Sequence, residues 1–161
     1  MGRYSSRNLM EFEFHDAWAD EIRRKGDVLT CRVKHLNLHA SAPENPYPQD
    51  MELKEAVLAF SGFQVKEYCL PAYECHFQDG RTEAHPKQQF FEAEAEKRFS
   101  QAAAEGFQLT YVGPDDQACW ALEACGKTVL YFTLTFSFRQ ALVEWEEFAG
   151  KAWYVNFPSN P

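Results

Sequence analysis

No apolar run among the 161 residues approaches the roughly 20 needed to cross a bilayer as a helix. The opening MGRYSSRNLM also lacks the apolar core of a secretion signal, so the expected location is the cytoplasm. Basic residues are in deficit, 16 Lys and Arg against 24 Asp and Glu, for a net charge of −8. A field of that sign repels phosphate backbones and anionic headgroups, which argues against nucleic acid and membrane surfaces as partners. It would steer a basic protein towards the chain. The familiar catalytic signatures are missing as well: there is no G-x-S-x-G elbow, H-E-x-x-H, Walker loop or G-x-G-x-x-G. Cysteine is sparse and odd in number, five residues scattered through strand-like segments, which fits reduced thiols better than a disulfide framework.

What the sequence has in quantity is rings. Fourteen Phe, seven Tyr and four Trp favour pleated, half-buried surfaces over a helix bundle. Residues 1–10 carry no hydrophobic period and read as a disordered arm or an expression remnant, ahead of a single β-rich domain over 11–158. Phe12 and Phe14 alternate with polar neighbours, and residues 18–39 read as a hairpin turning at Lys25-Gly26-Asp27. In its second arm Leu29, Cys31 and Val33 occupy one parity and Leu36 and Leu38 the other, so a bend near Lys34 and His35 is needed to bury both sets. Pro43, Pro46 and Pro48 make residues 41–50 a loop. Residues 54–68 read as a central strand covered on both faces, with a bulge at Gly62. A short hairpin is expected across Gln78-Asp79-Gly80.

One helix is expected near 87–104, beginning after Pro86, with Phe91, Ala95, Phe99 and Ala102 on its buried stripe and Gly106 at its stop. A three-strand meander follows over residues 107–138, its last member burying Leu130, Phe132, Leu134, Phe136 and Phe138. Residues 141–157 read as a hairpin turning at Ala149-Gly150-Lys151 rather than a helix. The expected fold class is α+β and mostly antiparallel, about eight to ten strands in a meander or partly closed sheet.

The chemistry-bearing residues mostly yield to structural explanations. Cys69/Cys75 and Cys119/Cys125 share a C-x5-C spacing, with His76 beside the first pair, yet six residues of extended chain span roughly 20 Å, too far for one zinc ion. No metal and no cofactor is expected. His35 and His39 would share a strand face roughly 13 Å apart, so they form with Asn37 a polar strip leading into the proline-rich loop rather than a metal pair. Adjacent residues of a strand point to opposite faces, so His15, ending the first strand, and Asp16, suited to the turn that follows, make no catalytic dyad. Glu144 and Glu146 set carboxylates among rings close to Trp153. The expected contact residues for a ligand or partner are thus His15, His35, Asn37, His39, Glu144, Glu146 and Trp153, none of them catalytic.

FHDAWADEIRRKGDVLTCRV (14–33) resembles the F-H-D…I-x-x-x-G-D-x-L hairpin that opens several small uncharacterised bacterial families, some grouped with immunity proteins of polymorphic toxins. VEWEEFAGKAWYV (143–155) resembles a W-x-E…A-W-Y ending of similar clostridial-type proteins. The resemblance implies a small cytoplasmic β-rich protein that inhibits by binding, and transfers no functional residue. The expected function is accordingly a non-catalytic, immunity-like protein-binding domain with a basic partner. The alternative is a barrel or cupped sheet that holds a small molecule.

Overall fold

The computed structural model describes residues 3–156. In chain order the strands are β1 (Tyr4–Ser6), β2 (Phe12–Glu13), β3 (Trp18–Lys25), β4 (Val28–Lys34), β5 (Asn37–Leu38), β6 (Met51–Leu53), β7 (Ala56–Ser61), β8 (Gln64–Leu70), β9 (Tyr73–His76), β10 (Thr82–His85) and β11 (Gln88–Phe91). Then come helix α1 (Glu92–Glu105), β12 (Phe107–Pro114), β13 (Trp120–Gly126), β14 (Phe132–Ser137), β15 (Gln140–Trp145) and β16 (Phe148–Lys151). The fold is α+β and mostly antiparallel, as the ring content and period-two patterning imply.

Ten strands form one sheet in the order β1-β15-β7-β4-β3-β12-β13-β14-β8-β11. Phe60 on β7 and Phe136 on β14 are five strands apart in that order, which in a flat sheet is roughly 24 Å. Their ring centroids are 5.5 Å apart, so the sheet curls until its two halves face each other without closing into a barrel. The space between is filled by Leu29, Leu58, Phe60, Phe63, Leu109, Leu134 and Phe136, all buried. Helix α1 packs against β3, β8 and β11, and its Phe99 meets Phe63 and Phe107 at 5.9 and 6.3 Å. Ala95, Phe99 and Ala102, spaced four and three residues apart, are its buried stripe.

A second sheet of four short strands, β16-β6-β5-β2, is built from the bend that the phase change demanded. Strand β4 ends at Lys34, His35 takes a positive φ of 60°, and Asn37–Leu38 leaves in a new direction, so Val33 and Leu38 are both fully buried. Hairpin β9–β10 stands apart as a two-stranded ribbon.

Several expectations are corrected. Tyr4–Ser6 pairs with β15 and Leu9 is buried, where a disordered arm was expected. Ring stacking of Tyr4 on Trp145 at 5.8 Å holds that segment. Residues 54–68 are two strands rather than one: Gly62, at φ 64°, ends β7 and turns the chain to β8 on the far side of the sheet. Strand β7 is covered on one face only, since Val57 is exposed. The helix starts at Glu92 because Gln88–Phe91 is taken up as the edge strand beside β8, and Phe91 is 57% exposed instead of buried on the helix stripe. Leu130 precedes β14 and is 79% exposed. Residues 141–157, expected as one hairpin, hold two strands that do not pair with each other, because β15 pairs with β1 and β7 whereas β16 pairs with β6; Phe157 lies outside the described residues.

Candidate functional site

Three of the seven expected contact residues, His15, His39 and Trp153, line one open depression of about 450 Å³ together with Glu13, Asp50, Thr110 and Tyr154. The proline-rich loop puts Asp50 there. Its prolines keep it out of strand, and the buried amide of Asn45 closes it, donating to the carbonyls of His39 at 3.2 Å and Gln49 at 3.0 Å while accepting from the Tyr47 N–H at 2.9 Å. The two ends of the loop are thereby tied, and Asp50 returns beside His39.

Asp50 is the hub. Its Oδ1 accepts from the Ala40 N–H at 2.7 Å; its Oδ2 accepts from the Tyr154 hydroxyl at 2.5 Å and lies 3.0 Å from His39 Nδ1. Burial pushes this carboxyl up, but the hydrogen bonds from Tyr154, Ala40 and His39 outweigh it and hold Asp50 below the usual carboxylate range. Tyr154 is raised, by burial first and then by its bond to the Asp50 carboxylate. The Ala152 N–H donates to the Asp50 carbonyl at 3.0 Å, which sets Trp153 and Tyr154 at the rim.

His15 arrives by another route. His15 and Asp16 lie in a turn, with Asp16 at φ 71°, and the turn is pinned to β12 by the Asp16 N–H donating to the Leu109 carbonyl at 2.9 Å. This corrects the strand reading: His15 Nε2 and Asp16 Oδ2 approach to 3.8 Å, because a turn does not alternate faces. His15 Nδ1 is 3.3 Å from the Thr110 carbonyl, and the His15 N–H donates to Glu13 Oε1 at 2.9 Å.

The other expected residues lie elsewhere. His35 and His39 do not form a strip with Asn37. His35 pairs with Glu52 at 3.0 Å, His39 pairs with Asp50, and Asn37 is 1% exposed with neither side-chain amide atom hydrogen-bonded. The bend at His35 breaks the alternation that a strip would need. Glu144 and Glu146 line a separate depression of about 460 Å³ with Lys54, Glu55, Val57, Trp145 and Glu147. Only the three residues of β6 and Lys54 separate Asp50 from Glu55. The small sheet, the loop that leads into β6 and the links from β6 to β7 and from β15 to β16 thus carry Glu13, Glu44, Asp50, Glu52, Glu55, Glu146 and Glu147, against the lysines Lys54 and Lys151, and Glu144 stands beside them on β15. Lys54 is paired with Glu147 at 3.0 Å.

Sequence reasoning missed Asp50, Tyr154, Glu13 and Thr110. The one available signal was the proline-rich loop that begins just after His39, which had to return somewhere near its start. Among the described residues no group of three or more His, Cys, Asp or Glu side chains is placed to hold a metal ion, and no helix is long and apolar enough to cross a membrane. Comparisons with protein-family models, with curated proteins and with solved structures find no match.

Proposed function

We propose that this chain is a non-catalytic, immunity-like protein-binding domain whose partner is basic. The observation that carries this reading is the concentration of seven carboxylates on the small sheet and its connections, against two lysines. Fields of one sign over a surface accelerate encounter with a partner of opposite sign and set its orientation. The surface is also shallow and open, as suits a protein partner.

The alternative of a small molecule held inside the curled sheet is disfavoured by packing. Free space there is about 30 Å³, lined by side chains such as Phe60, Phe99 and Phe136. That is about the share of one water molecule in the liquid, whereas ligand pockets run to hundreds of Å³.

The test is affinity capture from an extract of the source cells, with the wild-type chain and a variant carrying Glu55→Gln, Glu144→Gln, Glu146→Gln and Glu147→Gln side by side. A basic protein retained in stoichiometric amount by wild type, lost from the variant and released as salt is raised from about 0.1 to 0.5 M, is the expected outcome. Retention of no protein, or equal retention by both chains, overturns the reading.

A further inference from the structure

We propose that the chain forms a homodimer through the ribbon β9–β10, the open edge of β9 pairing antiparallel with β9 of a second copy about a two-fold axis at Cys75. The ribbon shares no strand with the small sheet, so this goes beyond the partner binding proposed above.

The ribbon continues the pairing of β8 with β11. Leu70 lies opposite Gln88, Pro71 and Pro86 interrupt the ladder because neither has an N–H, and pairing resumes with Tyr73 opposite His85. A two-stranded ribbon is marginally stable in water and needs further strands or a packed face. Among the described residues β9 pairs with β10 alone, and Tyr73 and Phe77, on one face of the ribbon, are 52% and 39% exposed.

The open edge selects its own register. The Phe77 N–H donates to the Arg81 carbonyl at 2.9 Å, so the backbone groups of Tyr73, Cys75 and Phe77 face β10 and those of Glu74 and His76 face the open side. Two antiparallel copies can therefore hydrogen-bond with Glu74 opposite Glu74, Glu74 opposite His76, or His76 opposite His76. The first sets like charges together, and the first and third each leave one end of 73–77 without an opposite. The second is self-complementary, because 73–77 reads Tyr-Glu-Cys-His-Phe. Tyr73 then meets Phe77 of the second copy, Glu74 meets His76, and Cys75 meets Cys75. An imidazole offers a carboxylate an N–H whether it is neutral or charged, and rings directly across a ladder add to the pairing. The same register carries the turn Gln78-Asp79-Gly80 of the second copy alongside Leu70 and Pro71. A depression of about 390 Å³ lies there, lined by Leu70, Pro71, Tyr73, Val129 and Leu130 among others. It is on the β14 side of β8, which is the side on which β9 is open. The incoming turn covers Leu130, otherwise 79% exposed.

The test is sedimentation velocity on the full chain in reductant, from about 5 µM to 1 mM. Wild type should pass from one chain to two, with a dissociation constant in the range of about 10–300 µM. In Glu74→Pro the proline removes an N–H from the open edge alone and leaves the bonds to β10 in place. That variant should keep its melting temperature and dimerise at least about tenfold more weakly. A second readout does not depend on how the proline variant folds. Opposite each other in a non-hydrogen-bonded pair, two Cys75 residues have Cα atoms roughly 4.5 Å apart, within the span of a disulfide. Diamide, which takes up the two thiol hydrogens, should therefore join wild-type chains at about 200 µM. Cys75→Ser should abolish the joining, and Cys69→Ser and Cys119→Ser should leave it. Wild type that stays a single chain at about 1 mM, or a folded Glu74→Pro that dimerises as well as wild type, overturns the inference. So does diamide that joins Cys75→Ser as readily as wild type, or that joins neither. A monomeric chain that still captures a basic protein leaves the protein-binding reading standing.

Discussion

Asn37 is the residue whose environment is hardest to reconcile with stability alone. It lies in register between Glu13 and Glu52 across the small sheet, almost wholly buried, with both amide atoms unbonded. A buried polar group left without a partner costs on the order of 1–3 kcal/mol. Asn37→Leu, close in volume and free of polar atoms, is expected to raise stability by about 1 kcal/mol, seen in urea as a higher midpoint at unchanged slope. A lower midpoint would mean that the amide is held by interactions worth more than its desolvation. The sequence presents Asn37 as the middle of a polar strip, with His35 and His39, leading into the proline-rich loop. Its burial follows from a second sheet that residues 51–53 and 148–151 complete from distant parts of the chain, and no local pattern contains that.

At the scale of elements, what ends the helix also joins the two layers. Gly106 has a φ of 77°, and a Cβ there would meet the Ala19 carbonyl and the Trp18 ring at 3.0 Å each. Its small size lets the chain leave α1 directly into β12, whose Phe107 and Gln108 pair with Ala19 and Trp18 of β3. Gly106→Ala is expected to cost about 1–3 kcal/mol from the positive φ, with the close contacts adding to it; a chemical denaturation curve checks this. A change below about 0.5 kcal/mol would show that the junction relaxes freely. The helix stripe and this stop were legible, because period 3.6 and a glycine are local signals. The helix start was not: Gln88–Phe91 has no strand signature of its own and becomes one because β8 offers it an unpaired edge.

For the molecule as a whole, acid stability reports how its carboxylates are used. Asp20 is held low first by its hydrogen bonds from Arg32, at 2.7 and 2.9 Å, against the smaller upward push of burial. Asp50 is also held low, its hydrogen bonds outweighing burial. Since each folded value lies below the unfolded one, near 3.9 for Asp, each group stabilises the fold above that pH, and the contribution is lost as pH falls through the lowered folded value. Glu11 acts in the opposite sense: burial raises it, the Ser6 hydroxyl partly offsets this, and neighbouring Glu44 raises it further. Melting temperature is therefore expected to fall as pH drops below about 4, and Asp20→Asn should flatten that fall while lowering stability at neutral pH. An acid limb of equal steepness in the variant would remove Asp20 from this account.

Composition and period were enough to determine the strand-rich α+β class, the buried parity of β4 and β14, the bend at His35 and the face of the helix. Each of these is a consequence of which neighbouring side chains must share an apolar side. Which strands meet, and which polar groups converge, was decided by tertiary structure alone. Asp50 reaches His39 because Asn45 closes a loop, Tyr154 reaches Asp50 across 104 residues, and His15 reaches β12 across 95. Such long-range pairings depend on how the curled sheet closes its entropy-costly loops, which alternation along a strand cannot record.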